Sequence, residues 1–269
     1  MPSPTASFDE IRAVVQSMPD IGPAERDLAS WIGQVQDKPV PAINHPRIAV
    51  FAATHGIAAG LPGADSAGMI RAVERFVAGG SVHQFAAAAD SDLRLYDLAL
   101  DRPTADSRLG PAMDEVETCR AAAYGMMTVE PGIDILVCSA LGAGAELAGQ
   151  ALAHAMAHGD GSADNAVLNP AIARHGALDD PLVLLAALGG PDIAALLGLI
   201  LAARLARIPV VLDGAAAFAA AAVARALRPD ALDHCRSAAG TVDAILSAES
   251  DPPLTGAQAL LGLKSLFPE

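Results

Sequence analysis

The chain is poor in aromatic residues and in positive charge. Aromatics make up 3% of its 269 residues, with a single Trp. A core without large rings must be filled by small aliphatic side chains. The 52% hydrophobic content, mostly Ala, Leu, Val and Ile, suits helices packed closely on a sheet. Lys and Arg number 17 against 31 Asp and Glu, a formal charge of −14. That balance excludes an extended nucleic-acid footprint, which needs clustered bases. It leaves open a local basic pocket for an anionic substrate. The three cysteines, Cys119, Cys138 and Cys235, lie far apart without metal-ligand spacing. Their odd number, and opening residues that do not read as a secretory signal, predict a reducing cytoplasm. No apolar run reaches the ~20 residues that cross a bilayer. The longest candidate, Ile193–Leu205, is closed by Arg204 and Arg207. There is no P-loop, G-x-S-x-G elbow or H-E-x-x-H run, so three common catalytic motifs are missing.

What is present is an alternation of short apolar runs and helical patterns. Phe8–Met18 and Ala24–Gln36 read as two helices, the first with Ile11, Val14, Val15 and Met18 on one face. Asp37–Pro46 reads as a linker. Strands are predicted at Arg47–Ala53, Leu93–Asp101, Ile133–Ser139, Leu182–Leu188 and Ile208–Leu212. Helices are predicted at Ser66–Ala78, Asp114–Thr128, Ala145–His158 and Thr255–Leu266, and over the long patterns that follow Gly190 and Gly214. Val82–Ala88 and Val167–His175 read as short elements, Pro229–Ala239 as a turn and short helix, and Thr241–Ser247 as a short apolar element. Such alternation predicts an α/β fold with a parallel sheet. The expected division is a helical hairpin over 1–40, a parallel α/β domain over 45–240 and a helical segment over 241–269.

Ligands in open parallel sheets bind outside the strand C-terminal ends. The small turns at such ends are therefore the candidate site. Gly142-Ala143-Gly144 opens a helix, where backbone N–H groups and the helix dipole favour a phosphate. A plain tight turn explains the same residues. Gly189-Gly190-Pro191-Asp192 and Asp213-Gly214 follow the same logic, with the aspartates as ribose-binding groups or as helix caps. His55, before Gly56, is a candidate proton carrier or a structural turn residue. His154 and His158 stand four apart in HAMAH and could reach one metal with His175, but without a glutamate between them the preferred reading is a helix end with two solvated histidines. Cys138 reads as a buried small residue and the pair Asp179-Asp180 as loop charge.

The segment ALGGPDIAALLGLILAARLARIPVVLDGAAAFAAAAVARALRPDALDHCRSA resembles the nicotinate-nucleotide–dimethylbenzimidazole phosphoribosyltransferase family, with its GG-x-D turn and its P-V-x-x-D-G strand end. The likeness extends more loosely to IAVFAATHG, to PAMDEVET and to Ile133–Gly149. It implies a Rossmann-like parallel sheet flanked by helices, a small helical domain built from the chain ends, and a homodimer. It implies transfer of phosphoribose from nicotinate mononucleotide to a benzimidazole-type base in cobalamin lower-ligand synthesis, with no cofactor and no metal. Gly142, Gly144, Gly189, Gly190, Asp192, Asp213 and Gly214 would bind substrate, and His55 and Asp213 are the catalytic candidates. The partners implied are a small-molecule nucleotide and an azole base. The chain also departs from the family pattern. The family's C-terminal glutamate has no counterpart at Thr255-Gly256-Ala257, with only Glu249 and Asp251 nearby. A second glutamate aligns with Ala140, and the Asp of a D-H-G turn with Thr54. The chain is shorter than typical members, in loops after Gly56, before PAMDEVET and over Gly159–Asp180. These losses keep a second reading open: a non-catalytic paralogue that binds a nucleotide or azole, or a partner subunit of an active enzyme. A third is an unrelated nucleotide-binding α/β protein.

Overall fold

The computed structural model describes residues 7–22, 27–159, 161, 163–238 and 254–264. Five strands form one parallel sheet: β1 (Pro46–Ala52), β2 (Asp92–Asp97), β3 (Ile135–Leu141), β4 (Val210–Leu212) and β5 (Cys235–Ser237). Their spatial order is β2-β1-β3-β4-β5, every neighbouring pair parallel. Chain direction across the sheet reverses between β1 and β3, so a crevice opens beyond their C-terminal ends.

Helices cover both faces. The two-residue period of the strands divides the core accordingly. Ala49, Phe51, Leu136, Cys138, Val210 and Leu212 point to one cluster, and Ile48, Val50, Ile135, Val137 and Val211 to the other. The first face carries α1 (Phe8–Ser17), α5 (Glu115–Met127), α6 (Ala143–His158), α7 (Asn169–His175), α8 (Pro181–Leu188), α9 (Pro191–Leu205) and α10 (Gly214–Leu227). The second carries α2 (Leu28–Gln36), α4 (Ser81–Ala88) and α11 (Leu254–Lys264), and α3 (Ser66–Val77) packs at the strand ends through Met69.

Small residues set how closely the first-face helices approach. Helix α9 is buried from Asp192 to Arg204 and lies against α5. A Cβ added at Gly198 would stand 1.9 Å from the Ala122 carbonyl oxygen, and one at Gly125 1.8 Å from that of Ala195. Between α6 and α10 a Cβ at Gly149 would meet the Ala215 carbonyl carbon at 2.6 Å. The alanine and glycine content is thus what brings backbones into contact.

Two arginines tie the chain's start to this layer. The fully buried Arg204 donates from Nε to the Pro19 carbonyl (3.1 Å) and from Nη2 to Asp230 (3.0 Å). Arg228 donates to the Met18 carbonyl at 2.7 Å. His234 is also fully buried, with Nε2 paired to the Ile200 carbonyl at 2.9 Å, and burial pushes its pKa down to about 3. The unfolded chain therefore binds a proton there that the native state refuses. Stability from this group is complete above pH ~6.5 and falls as pH drops toward the folded value. By pH 5 the loss amounts to about 2 kcal/mol. Urea midpoints at pH 7 and pH 5 should show it, and His234→Leu should flatten that dependence; an unchanged slope in the variant would disprove the assignment.

Two expectations fail. Leu182–Leu188 is helix α8, not a strand. Its run is apolar throughout, the exposed Val183 included, so the sequence carries no polar period to mark a helix. The deciding signal stands at its start: Asp180 accepts from the N–H groups of Leu182 and Val183, and Pro181 occupies the first turn. Turn Gly189-Gly190 consequently joins two helices. Pro229–Ala239 is not a turn and helix but a turn leading into β5, a three-residue edge strand too short to show alternation. Thr241–Ser247 lies outside the described residues.

Candidate functional site

The C-terminal end of β1 runs through Thr54 to His55. Thr54 is locked by donating its Oγ1 to the Leu100 carbonyl at 2.8 Å. His55 reaches across the sheet edge to α9. Its Nε2 lies 2.9 Å from Asp192 Oδ2, and both side chains are 0% exposed. An ionised carboxylate can only accept, so Nε2 is the donor in this pair. Nδ1 is buried and has no hydrogen-bond partner among the described residues. The other Asp192 oxygen accepts from the Ile193 N–H at 2.8 Å.

Two glycine turns close on this imidazole. A Cβ on Gly144 would stand 2.8 Å from His55 Cβ, and one on Gly190 would stand 2.1 Å from His55 Cε1. The turn after β3 and the turn before α9 therefore meet at His55, outside β1 and β3. Gly142 has φ +112°, a conformation that L residues rarely adopt, and faces Met69. Of the sequence candidates, His55, Gly142, Gly144, Gly190 and Asp192 form one cluster. Gly189 follows α8 and packs against Leu185.

Asp213 and Gly214 sit one strand further along, after β4. Asp213 occupies the N-cap position of α10 without a side-chain cap bond. Its Oδ2 instead accepts from the Gly256 N–H at 2.7 Å, which fastens α11 to the strand ends. The open start of α10 is met by Glu146, from the first turn of α6: its Oε1 accepts from the Ala215 N–H at 3.2 Å. Burial raises the Glu146 carboxyl above its usual range, opposed by that N–H. Glu146 was not among the sequence candidates. Its signal was available: an acid in the helix turn directly after Gly142-Ala143-Gly144.

The remaining candidates lie elsewhere. His154 and His158 stack on each other at 4.7 Å, with His154 Nε2 against the Gly161 carbonyl at 3.0 Å, and His175 Nε2 meets the Ser107 carbonyl at 3.0 Å. They do not converge, and no metal-holding group of His, Cys, Asp or Glu occurs among the described residues. Cys138 is fully buried and its thiol is raised by burial, so it is not a nucleophile. Glu249 and Asp251 lie outside the described residues. A cavity of about 780 Å³ opens on the β2 side of the strand ends, between Leu98, Arg102, Met113, Arg120, Tyr124 and Pro191. No helix among the described residues is long and apolar enough to cross a membrane.

A model of the DBI_PRT phosphoribosyltransferase family matches residues 25–244, a span containing all three turns. The nicotinate-nucleotide–dimethylbenzimidazole phosphoribosyltransferase of Brucella anthropi is 38% identical over 85% of this chain and 79% of its own length. The chain belongs to this family. A Rhizobium johnstonii protein of the same name is 38% identical over 77% of this chain, which spans only 65% of that relative's length. In structure, the Thermus thermophilus CobT matches with a TM-score of 0.71 at 21% identity, over 96% of this chain and 94% of its own. A second structure from that organism, named as the phosphoribosyltransferase, gives 0.72 at 22% identity. These two carry the fold: the doubly wound sheet is the family's architecture. The matched span includes both the His55–Asp192 pair and the Asp213-Gly214 turn, so family and candidate site coincide in sequence.

Proposed function

We propose that this chain transfers phosphoribose from nicotinate mononucleotide to a benzimidazole-type base, as the names of its relatives describe for them. The observation that carries this reading is the meeting of the Gly142–Gly144 and Gly190–Asp192 turns at His55, within the family-matched span. The Gly142–Gly144 and Gly190–Asp192 turns open α6 and α9, whose positive ends favour a phosphate. Asp213, beside them, is suited to ribose hydroxyls. Gly189 ends α8 and packs against Leu185, and Gly214 holds φ +85° at the start of α10, a conformation glycine favours. His55 acts as a positioning residue, since its ring is enclosed by Gly144 and Gly190 and paired to Asp192. The chemistry is substitution at the anomeric carbon: an azole nitrogen forms the new bond while nicotinate leaves. Holding both reactants in line contributes much of such a rate.

The test is incubation of the purified chain with nicotinate mononucleotide and dimethylbenzimidazole, with products separated by chromatography. Nicotinate and the azole nucleotide should appear in equal amounts. Calorimetric binding of either compound without turnover would sink this reading in favour of a non-catalytic binder. We further propose a homodimer acting in the cytoplasm, with light scattering expected to give twice the 27.2 kDa chain mass.

A further inference from the structure

We infer that Glu146 accepts the proton which the attacking azole must lose, an assignment that rests on the reaction proposed above. In that reaction the unprotonated azole nitrogen gives its lone pair to the anomeric carbon. The carbon–nitrogen bond to the pyridinium breaks, and its electron pair leaves with nicotinate. The azole's other nitrogen still carries hydrogen, and a base must take it to leave a neutral product. A base within hydrogen-bond reach contributes about 10²- to 10⁴-fold.

The groups at the strand ends differ in their capacity for this. Asp192 is committed through both oxygens, one to His55 and one to the Ile193 N–H. It is 0% exposed, so an azole cannot reach it. His55 Nδ1 is equally enclosed, facing Gly190. Asp213 holds the Gly256 N–H and thereby anchors α11. Glu146 alone of these combines a carboxylate with access. Its Oε1 is placed by the Ala215 N–H, while Oε2 has no partner among the described residues, and the side chain is only partly buried. It rises from the turn holding Gly144, against which His55 packs, and it touches the helix that starts beside Asp213. The carboxylate thus stands between the βα turns that follow β3 and β4. Burial also shifts it toward a stronger base, a direction that serves proton acceptance near neutral pH.

Glu146→Gln decides the matter, because its amide oxygen still accepts from Ala215 while the proton acceptor is gone. The expected result is a fall in kcat of about 10²-fold or more. Nicotinate mononucleotide affinity by calorimetry should stay within about twofold, and the acid limb of the wild-type kcat–pH profile should disappear. Glu146→Asp, which keeps a carboxylate, should recover part of the rate and retain an acid limb. A Gln variant that keeps kcat within about threefold with an unchanged profile overturns the assignment. Equal losses in Gln and Asp variants, with affinity lost alongside, would mark Glu146 as a helix cap and overturn it too. If the wild type itself yields no product, the phosphoribosyl-transfer reading falls, and this inference falls with it. An active wild type beside an unimpaired Gln variant removes only the role of Glu146.

Discussion

Gly198→Ala is expected to destabilise the protein by about 3 kcal/mol or more, although alanine is the better helix former by about 1 kcal/mol. Two effects oppose each other here. The propensity gain is small and local. The steric cost is set by the 1.9 Å separation between the new Cβ and the Ala122 carbonyl oxygen, where backbone, not a flexible side chain, is in the way. Relief requires α5 and α9 to move apart along their whole contact, which opens voids beside every residue of a helix with no exposed face. Gly125→Ala meets the same crossing from the other side, at 1.8 Å from the Ala195 carbonyl oxygen. The two substitutions should be strongly non-additive, since the first separation accommodates part of the second. Thermal unfolding of both single variants and the double variant checks this. At about 2–4 °C per kcal/mol for a chain of this size, each single change should lower Tm by at least about 6 °C. A shift below 2 °C would mean that the helices do not approach this closely.

Asp192→Ala should cost about 3–5 kcal/mol and abolish turnover. Removing one member of a buried pair leaves its partner without compensation in a medium that cannot solvate it. Here the stranded group is the His55 Nε2–H, at 0% exposure, on a ring whose other nitrogen already lacks a partner among the described residues. The ring must then rotate or hydrate, and either displaces the Gly144 and Gly190 turns packed against it. Asp192→Asn keeps an acceptor for His55 and should lose much less stability. Urea denaturation of the two variants, with turnover measured alongside, separates them. Equal stability in wild type and Asp192→Ala would show that the pair does not hold the turns together.

Much of the scaffold was legible from local pattern. β1, β3 and β4 are short apolar runs ending in small turns, and α5 carries its own start signal: Asp114 and Glu117 form a capping box. Uniform burial is where pattern fails. Along α8 even the exposed Val183 is apolar, so no polar period emerges, and Asp180-Pro181 distinguishes it from a strand. β5 has three residues and owes its pairing to β4 rather than to its own composition. The site was legible as a set of turns but not as a set of contacts. His55 and Asp192 are 137 positions apart, and nothing in either segment specifies that an imidazole meets that carboxylate. Their pairing follows from strand order, which places β1 beside β3 with α9 behind them. The capping role expected of Asp213 passes to Glu146 for a similar reason: α11 claims Asp213, and only the assembled fold brings Gly256 to it.

The scarcity of aromatic residues has an optical consequence. Trp31 is the chain's single tryptophan, fully buried in α2. Its indole Nε1 donates to the Asp233 carbonyl at 3.0 Å, and the Arg236 guanidinium lies 4.8 Å from its ring. Intrinsic fluorescence excited at the red edge therefore comes from one place, the seam between α2 and the segment leading into β5. That emission reports whether the seam is dry and closed. The alanine-packed crossing of α5 and α9, on the opposite face of the sheet, contributes no tryptophan to the signal. Comparing fluorescence with circular dichroism during unfolding would thus time the release of α2 against the melting of the helices, without a label or an added probe.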